Sequence, residues 1–354
     1  MDIYVASLIA FLTTCLFVWT LQPIARHIGL VDKPGGRKKH SGKIPLIGGI
    51  AMFIGLLVGL VVVNFPFSQI KGLLIGGGIL LIVGTIDDFV DLNAATRFLA
   101  QITAALILIF VDGIVLTDLG SLMGGENLEL GVAGVLFTVF AIVGVINATN
   151  MSDGMDGLAG GLASITLVCL LLANTIAGGQ MLEIPLPVIL SIIIAFLMFN
   201  MRTPWNRNAQ VFMGNGGSMF LGLALAWLLI YAAQGEKRII EPVIALWIFA
   251  LPLLDTICVM IRRLVKGRSP FAPDREHFHH ILLVAGYTVK QAVWIIIGIA
   301  LVLACIGYLG YTANLPEHIL FVGILFIFTL YFWGMSHAWK LMKVIRRDKP
   351  TDSQ

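Results

Sequence analysis

Charge is what this chain has least of. Of its 354 residues only 12% are Asp, Glu, Lys or Arg, against roughly 25% in a soluble domain. A chain that is also 58% hydrophobic cannot hide its apolar surface inside a soluble fold. That excludes a cytosolic enzyme or a secreted domain. Cysteine is scarce too. Cys15, Cys169, Cys258 and Cys305 all fall inside apolar runs, with no metal-binding spacing, which excludes a disulfide scaffold or a zinc ribbon and leaves them as small core residues. No small-residue cleavage site follows the apolar run Ile3 to Ala25, and the run is too long for a signal peptide, so it reads as a first membrane span. Internal repeats, low-complexity segments and a separate soluble domain are all missing, and nothing suits a nucleic acid partner.

What the chain has is apolar length. Continuous runs at 3–25, 44–64, 70–86, 96–112, 132–147, 158–178, 185–201, 212–233, 240–261, 290–311 and 317–339 are each long enough for a tilted helix to cross a hydrocarbon core of roughly 30 Å. Because the runs are continuous and do not alternate, helices are expected and a barrel is not. The reading is an all-α, polytopic integral membrane protein of about eleven spans, or ten without the short 132–147 run. It forms a single membrane domain over residues 1–354.

The few cations are distributed unevenly. If the 26–43 loop is cytoplasmic, alternation makes the 87–95, 148–157, 202–211 and 262–289 loops and the basic tail 340–354 cytoplasmic as well. Then 20 of the 23 Lys and Arg lie inside, and only Lys71, Lys237 and Arg238 lie outside. The loop 112–131 carries four acids and no base, as an external loop should. The positive-inside rule therefore sets the N-terminus outside and the C-terminus in the cytoplasm. The tail, with Lys340, Lys343, Arg346, Arg347 and Lys349, reads as an anchor to lipid headgroups.

This orientation gathers the polar side chains of five loops on one face. Asp87 and Asp88 follow an apolar run. Adjacent carboxylates suit a divalent cation or general-base work on a phosphate, while a solvated helix end is the plain alternative. Asn147, Asn150, Asp153 and Asp156 recur every three residues in NATNMSDGMDGLAGG at 147–161, a spacing that would line one side of a helical turn. Asp156 could also cap the helix that follows. The turn VFMGNGGS at 211–218 offers either backbone N–H groups to an anion or close helix packing. In the 262–289 loop, Arg268 and its neighbouring cations suit diphosphate oxygens but are equally plain orientation signals. His277, His279 and His280 suit phosphate or sugar contact with proton exchange, since no further ligand completes a zinc site. Asp32 lies within the basic first loop, where it could help steer an anionic substrate or simply cap a helix. Asp255, inside a span, is expected to pair with an arginine.

Taken together, DDFVD at 87–91, NATNMSDGMDGLAGG at 147–161, VFMGNGGS at 211–218 and PDREHFHH at 273–280 resemble the polyprenyl-phosphate N-acetylhexosamine-1-phosphate transferase family. The histidine segment and VDKPGGRKKHSGKIPLIGG at 31–49 resemble the branch that uses UDP-N-acetylglucosamine. The resemblance implies transfer of a sugar 1-phosphate to undecaprenyl phosphate with release of UMP, in a bacterial inner membrane with the site facing the cytoplasm. This would be a first membrane step of O-antigen, enterobacterial common antigen or related envelope polysaccharide synthesis. It implies Mg²⁺, with Mn²⁺ able to replace it, held by Asp88, Asp153 and position 215. It also implies catalytic roles for Asp87, Asp88, Asp156 and His279. Substrate contacts fall to Asp32, Arg97, Asn147, Asn150, Arg268, His277 and His280. Membrane lipids surround the protein, and Gly-rich apolar faces would permit a homodimer. One position departs from the pattern: the family carries an aspartate where this chain has Asn215. Asn keeps one carbonyl oxygen and loses the charge, so weaker metal binding is expected. Another UDP-N-acetylhexosamine would serve the same chemistry. A lipid transporter or an inactive homologue are the competing classes, though a transporter would place its charges near the membrane midplane.

Overall fold

The computed structural model describes residues 3–32, 42–178, 182–204, 206–236, 238–267, 269 and 277–337. The chain is a bundle of α-helices: α1 Ile3–Ile28, α2 Gly48–Val62, α3 Lys71–Val90, α4 Ala94–Asp112, α5 Gly134–Ser152, α6 Leu158–Ala177, α7 Pro185–Asn200, α8 Gly214–Ala233, α9 Pro242–Ile248, α10 Ala250–Val265, α11 Phe278–Val284, α12 Val289–Thr312 and α13 Glu317–Ser336. Each of the eleven apolar runs is helical. Among the described residues eight helices are long and apolar enough to cross a membrane, or nine if the bent pair α9–α10 is one span. The helices α2 and α7 are apolar but shorter, with 15 and 16 residues.

Helix α8 is the axis of the bundle. It is buried almost end to end, with α3, α5 and α2 packed around it. Helices α1 and α7 close over α2, and α6, α12 and the α9–α10 pair complete the other side. Leu, Ile and Phe side chains on the outward faces, such as Phe110, Leu136, Phe140 and Phe326, are exposed. That is the expected pattern for helices whose solvent is lipid.

The helices α3 and α4 form an antiparallel hairpin fixed at both ends. At one end the Asp112 carboxylate, at the end of α4, accepts hydrogen bonds from the Gly72 and Leu73 N–H groups at 2.6 and 2.9 Å. These are orphan donors at the start of α3. At the other end α3 terminates at Asp91, in the left-handed region at φ 51°. Asn93 then caps α4 by accepting from the Thr96 N–H at 2.9 Å.

Two features were not expected from the apolar runs. The ninth run is broken, with α9 and α10 meeting at 83°. Pro252 lies in the first turn of α10 and has no N–H to give the Ile248 carbonyl, so a continuous helix would lose that bond. The Thr166 hydroxyl of α6 donates to the freed Ile248 oxygen instead, at 3.0 Å. The second feature is a small antiparallel pair, β1 Val31–Asp32 with β2 Ile44–Pro45. The chain then runs beside the segment preceding α8: Phe212 N–H donates to the Pro45 carbonyl at 2.9 Å, and Gly48 and Gly49 N–H donate to Phe212 and Met213 at 2.9 and 3.0 Å. The loop bearing Asp32 is thereby stitched to the start of the central helix.

Candidate active site

The site begins where α3 and α8 touch. A Cβ at Gly84 would overlap the Cα of Gly216, so the two backbones approach as closely as backbones can. One turn further along α3 are Asp87 and Asp88. At the first residue of α8, Gly214 has φ +75°, and a side chain there would lie 2.6 Å from Asp88 Oδ2. Only glycine serves at that position. The Asn215 N–H then donates to both Asp88 oxygens, at 3.1 and 3.0 Å. The sequence left open whether this turn was an anion cradle or a packing device. It is both, and the anion at the helix N-terminus is the chain's own Asp88.

Asp87 is buried, 3% exposed, and its carboxylate receives three donors. These are the Leu92 N–H at 2.7 Å, Arg97 Nη1 at 3.1 Å and Asn215 Nδ2 at 2.8 Å. They fix its orientation completely. Arg97 remains the more open partner of the ion pair. Asp91, the last acid of DDFVD, ends the helix and takes no part.

Helix α5 supplies the next side chains, and here an expectation fails. The four residues at three-residue spacing do not share a helical face, because α5 ends at Ser152. Asn147 lies inward and donates to Gln101 Oε1 at 2.7 Å and to the Val143 carbonyl at 2.8 Å. Its amide is committed to tying α5 to α4. Asn150 donates to Ser218 Oγ at 2.7 Å and more weakly to Asn215 Oδ1 at 3.4 Å. Asp153 and Asp156 lie beyond the helix, in a bend. Enclosure among side chains, with Asp88 and Asp156 nearby, holds the Asp153 carboxyl well above the usual carboxylate range. Asp156 does not cap α6, whose N-cap is Gly157 with no side-chain bond. It accepts instead from Arg202 Nε at 2.6 Å.

Arg202 and Asn200 are site residues that motif reading missed. Asn200, buried at the end of α7, accepts from the Gly157 N–H at 2.6 Å and donates to the Val211 carbonyl at 2.8 Å. It therefore fastens the aspartate bend to the segment leading into α8. A polar residue closing an apolar run was its only signal in the sequence.

The histidines reach the same bend from the other side. His279 is buried in α11, and a Cβ at Gly154 would lie 2.6 Å from its Nε2. Its ring stacks on His277 at 5.6 Å and tilts against His280 at 4.2 Å. Burial and these two neighbours lower its pKa to about 3, so the ring is neutral near pH 7 and can donate or accept but carries no charge. Among the described residues the partners of Asp255 are a histidine, a tyrosine and a backbone N–H, not the arginine expected. Its Oδ2 meets His277 Nδ1 at 2.8 Å, and its Oδ1 accepts from the Phe278 N–H and the Tyr331 hydroxyl. The physical reason is position: the kink at Pro252 directs α10 so that Asp255 lies under the histidine segment. Arg268 and residues 270–276 of that loop lie outside the described residues, as do residues 33–41 of the first loop and the basic tail.

Among the described residues no three His, Cys, Asp or Glu side chains are gathered into a ready-made metal cage. The donor set still fits Mg²⁺, which uses one or two carboxylates and completes its shell with water and substrate phosphate oxygens. Asp88 and Asp153 are the carboxylates that would serve.

Fold and site together define a multi-pass membrane protein with a cluster of carboxylates, amides and imidazoles at one end of a helix bundle. Residues 70–233 match the pattern described as glycosyl transferase family 4. The chain is 38% identical over 354 residues to undecaprenyl-phosphate alpha-N-acetylglucosaminyl 1-phosphate transferase of Haemophilus influenzae, covering 99% of this chain and 97% of that one. It is 37% identical over 340 residues to the enzyme of the same name from Escherichia coli K12, covering 96% and 92%. It is 38% identical to that of Salmonella typhimurium over the same length and shares. The chain belongs to glycosyl transferase family 4.

Proposed function

We propose that this protein transfers N-acetylglucosamine 1-phosphate from UDP-N-acetylglucosamine to undecaprenyl phosphate. A lipid phosphate oxygen attacks the phosphorus attached to the sugar. The bridging bond to the other phosphate breaks, and UMP leaves with the electron pair. Phosphoryl transfer of this kind asks a protein mainly for positioning and charge neutralisation. Arg97, at the open side of its pair with Asp87, receives the lipid phosphate. Asp87, held by three donors, orients that phosphate and takes any proton it carries. Asp88 and Asp153 would hold Mg²⁺, and Asn215 Oδ1, which accepts a 3.4 Å bond from Asn150, has a second lone pair to add. The metal, or Mn²⁺ in its place, would supply charge neutralisation on the diphosphate. Asp156 with Arg202 sets the bend, His279 contacts the sugar nucleotide as a neutral donor, and Asn150, His277 and His280 line the same approach. Asp32 and Arg268 steer substrate from the first and fifth cytoplasmic loops.

The observation that carries this reading is the convergence of Asp87, Asp88, Asn150 and Asn215 on one hydrogen-bonded cluster from three helices. Topology follows from the same proposal. The short helices α2 and α7 and the bent pair each cross once, giving eleven spans, with the N-terminus periplasmic and the site and C-terminus cytoplasmic in a bacterial inner membrane. A homodimer through the outer apolar faces belongs to this proposal as well. The test uses purified protein, UDP-N-acetylglucosamine, undecaprenyl phosphate and Mg²⁺, with UMP measured. UMP should form, stop with EDTA and resume with Mn²⁺. Silence under all conditions, from Asn215→Asp as well, would favour a transporter or an inactive homologue.

A further inference from the structure

We propose that Asp255 and Tyr331 are positioning residues for the active site: helix α13, acting through Asp255, sets the height and ring orientation of the histidine segment against the aspartate bend. The inference rests on the transferase reading for its kinetic consequence but not for its structural one. One carboxylate joins three elements. Tyr331 of α13 donates to Asp255 Oδ1 at 2.7 Å, the Phe278 N–H donates to the same oxygen at 3.1 Å, and His277 Nδ1 meets Oδ2 at 2.8 Å. A carboxylate accepts, so Nδ1 of His277 carries a proton and donates it. His277 then stacks nearly parallel on His279, the planes 8° apart, and His279 abuts Gly154. Phe278 packs edge-on against the Tyr331 ring, centroids 5.9 Å apart, which fixes the segment from its apolar side. Neither Asp255 nor Tyr331 reaches the aspartates. Their influence passes through His277 and His279, as supporting residues act on the groups that meet substrate.

The full-length protein in lipid nanodiscs carries the test, with Tyr331→Phe removing one hydroxyl and Asp255→Asn weakening the acceptor. Tyr331→Phe should lower kcat about tenfold, the scale of one hydrogen bond to a charged group. KM for undecaprenyl phosphate and the Tm should stay near those of the parent, and Asp255→Asn should lower kcat further. In a His277→Gln background Tyr331→Phe should have no further effect, because the two act through one path. Hydrogen exchange should quicken over residues 278–284 in both variants and remain unchanged around Asp87 and Asn215. A kcat within twofold of the parent overturns the proposal, and so does a loss that persists fully in the His277→Gln background. If the parent makes no UMP, the transferase reading fails, and exchange alone decides. Unchanged protection over 278–284 then overturns the positioning role, and selective loss supports it.

Discussion

The two ends of the α3–α4 hairpin use the same kind of side chain for opposite purposes. At the end away from the site, Asp112, Asp118 and Glu317 each have a donor that the fold itself supplies. Asp112 caps α3, Asp118 accepts from the Gly120 N–H at 2.9 Å and pairs with Arg238 at 3.4 Å, and Glu317 accepts from the Ser121 N–H at 3.1 Å. At the site end Asp87 pairs with Arg97 and Asp156 with Arg202, and Asp153 is enclosed beside Asp88 and Asp156. Acids that close helix ends are satisfied locally. Acids gathered from several elements into one site suit a divalent cation, through which a phosphate substrate can be held.

The sharpest way to break this comparison is Asp87→Asn. Turnover should fall by at least about a hundredfold, the low end for losing a general base, while the Tm stays within a few degrees. Turnover within a few-fold of the parent would remove Asp87 from the chemistry. A smaller effect is expected from Asn215→Asp. It places a second carboxylate where Asn215 Nδ2 now lies 2.8 Å from Asp87, which should lower the Tm in EDTA and restore it with Mg²⁺. Half-saturation by Mg²⁺ should drop roughly tenfold as ligand charge is added, and turnover should rise. Metal dependence identical to the parent would show that position 215 does not face the ion. The smallest effect belongs to the far end. Asp118→Asn should cost about 1–2 kcal/mol of stability, read as a few degrees of Tm, with kcat unchanged. A fall in kcat without a fall in Tm would mean that the far end is not merely structural.

The helices were legible because an apolar run of membrane length has few other fates, and the ends of α6, α8 and α12 fall within two residues of the runs that mark them. The gathering of the motifs on one face was legible from the alternation of spans. Pairing was not. Tyr331 is 76 residues from Asp255, and nothing local in either segment names the other. The break at Phe249 was also hidden, since an interior proline is tolerated in many membrane helices without breaking the span. Asn215 illustrates the finest limit. Its type predicts a carbonyl oxygen for metal, but which way the amide faces is decided by Asp87 and Asn150 on two other helices.

The contact between Gly84 and Gly216 has a mechanical consequence. A bilayer that thickens or thins makes its helices tilt, and two helices in backbone contact tilt about the point where they touch. That point lies one turn from Asp87 and directly beside Asn215. As lipid composition or temperature changes, the distant ends of α3 and α8 sweep the widest arcs while the carboxylates stay near the fulcrum. The close glycine contact thus places the reacting groups where relative motion of these two helices would be smallest.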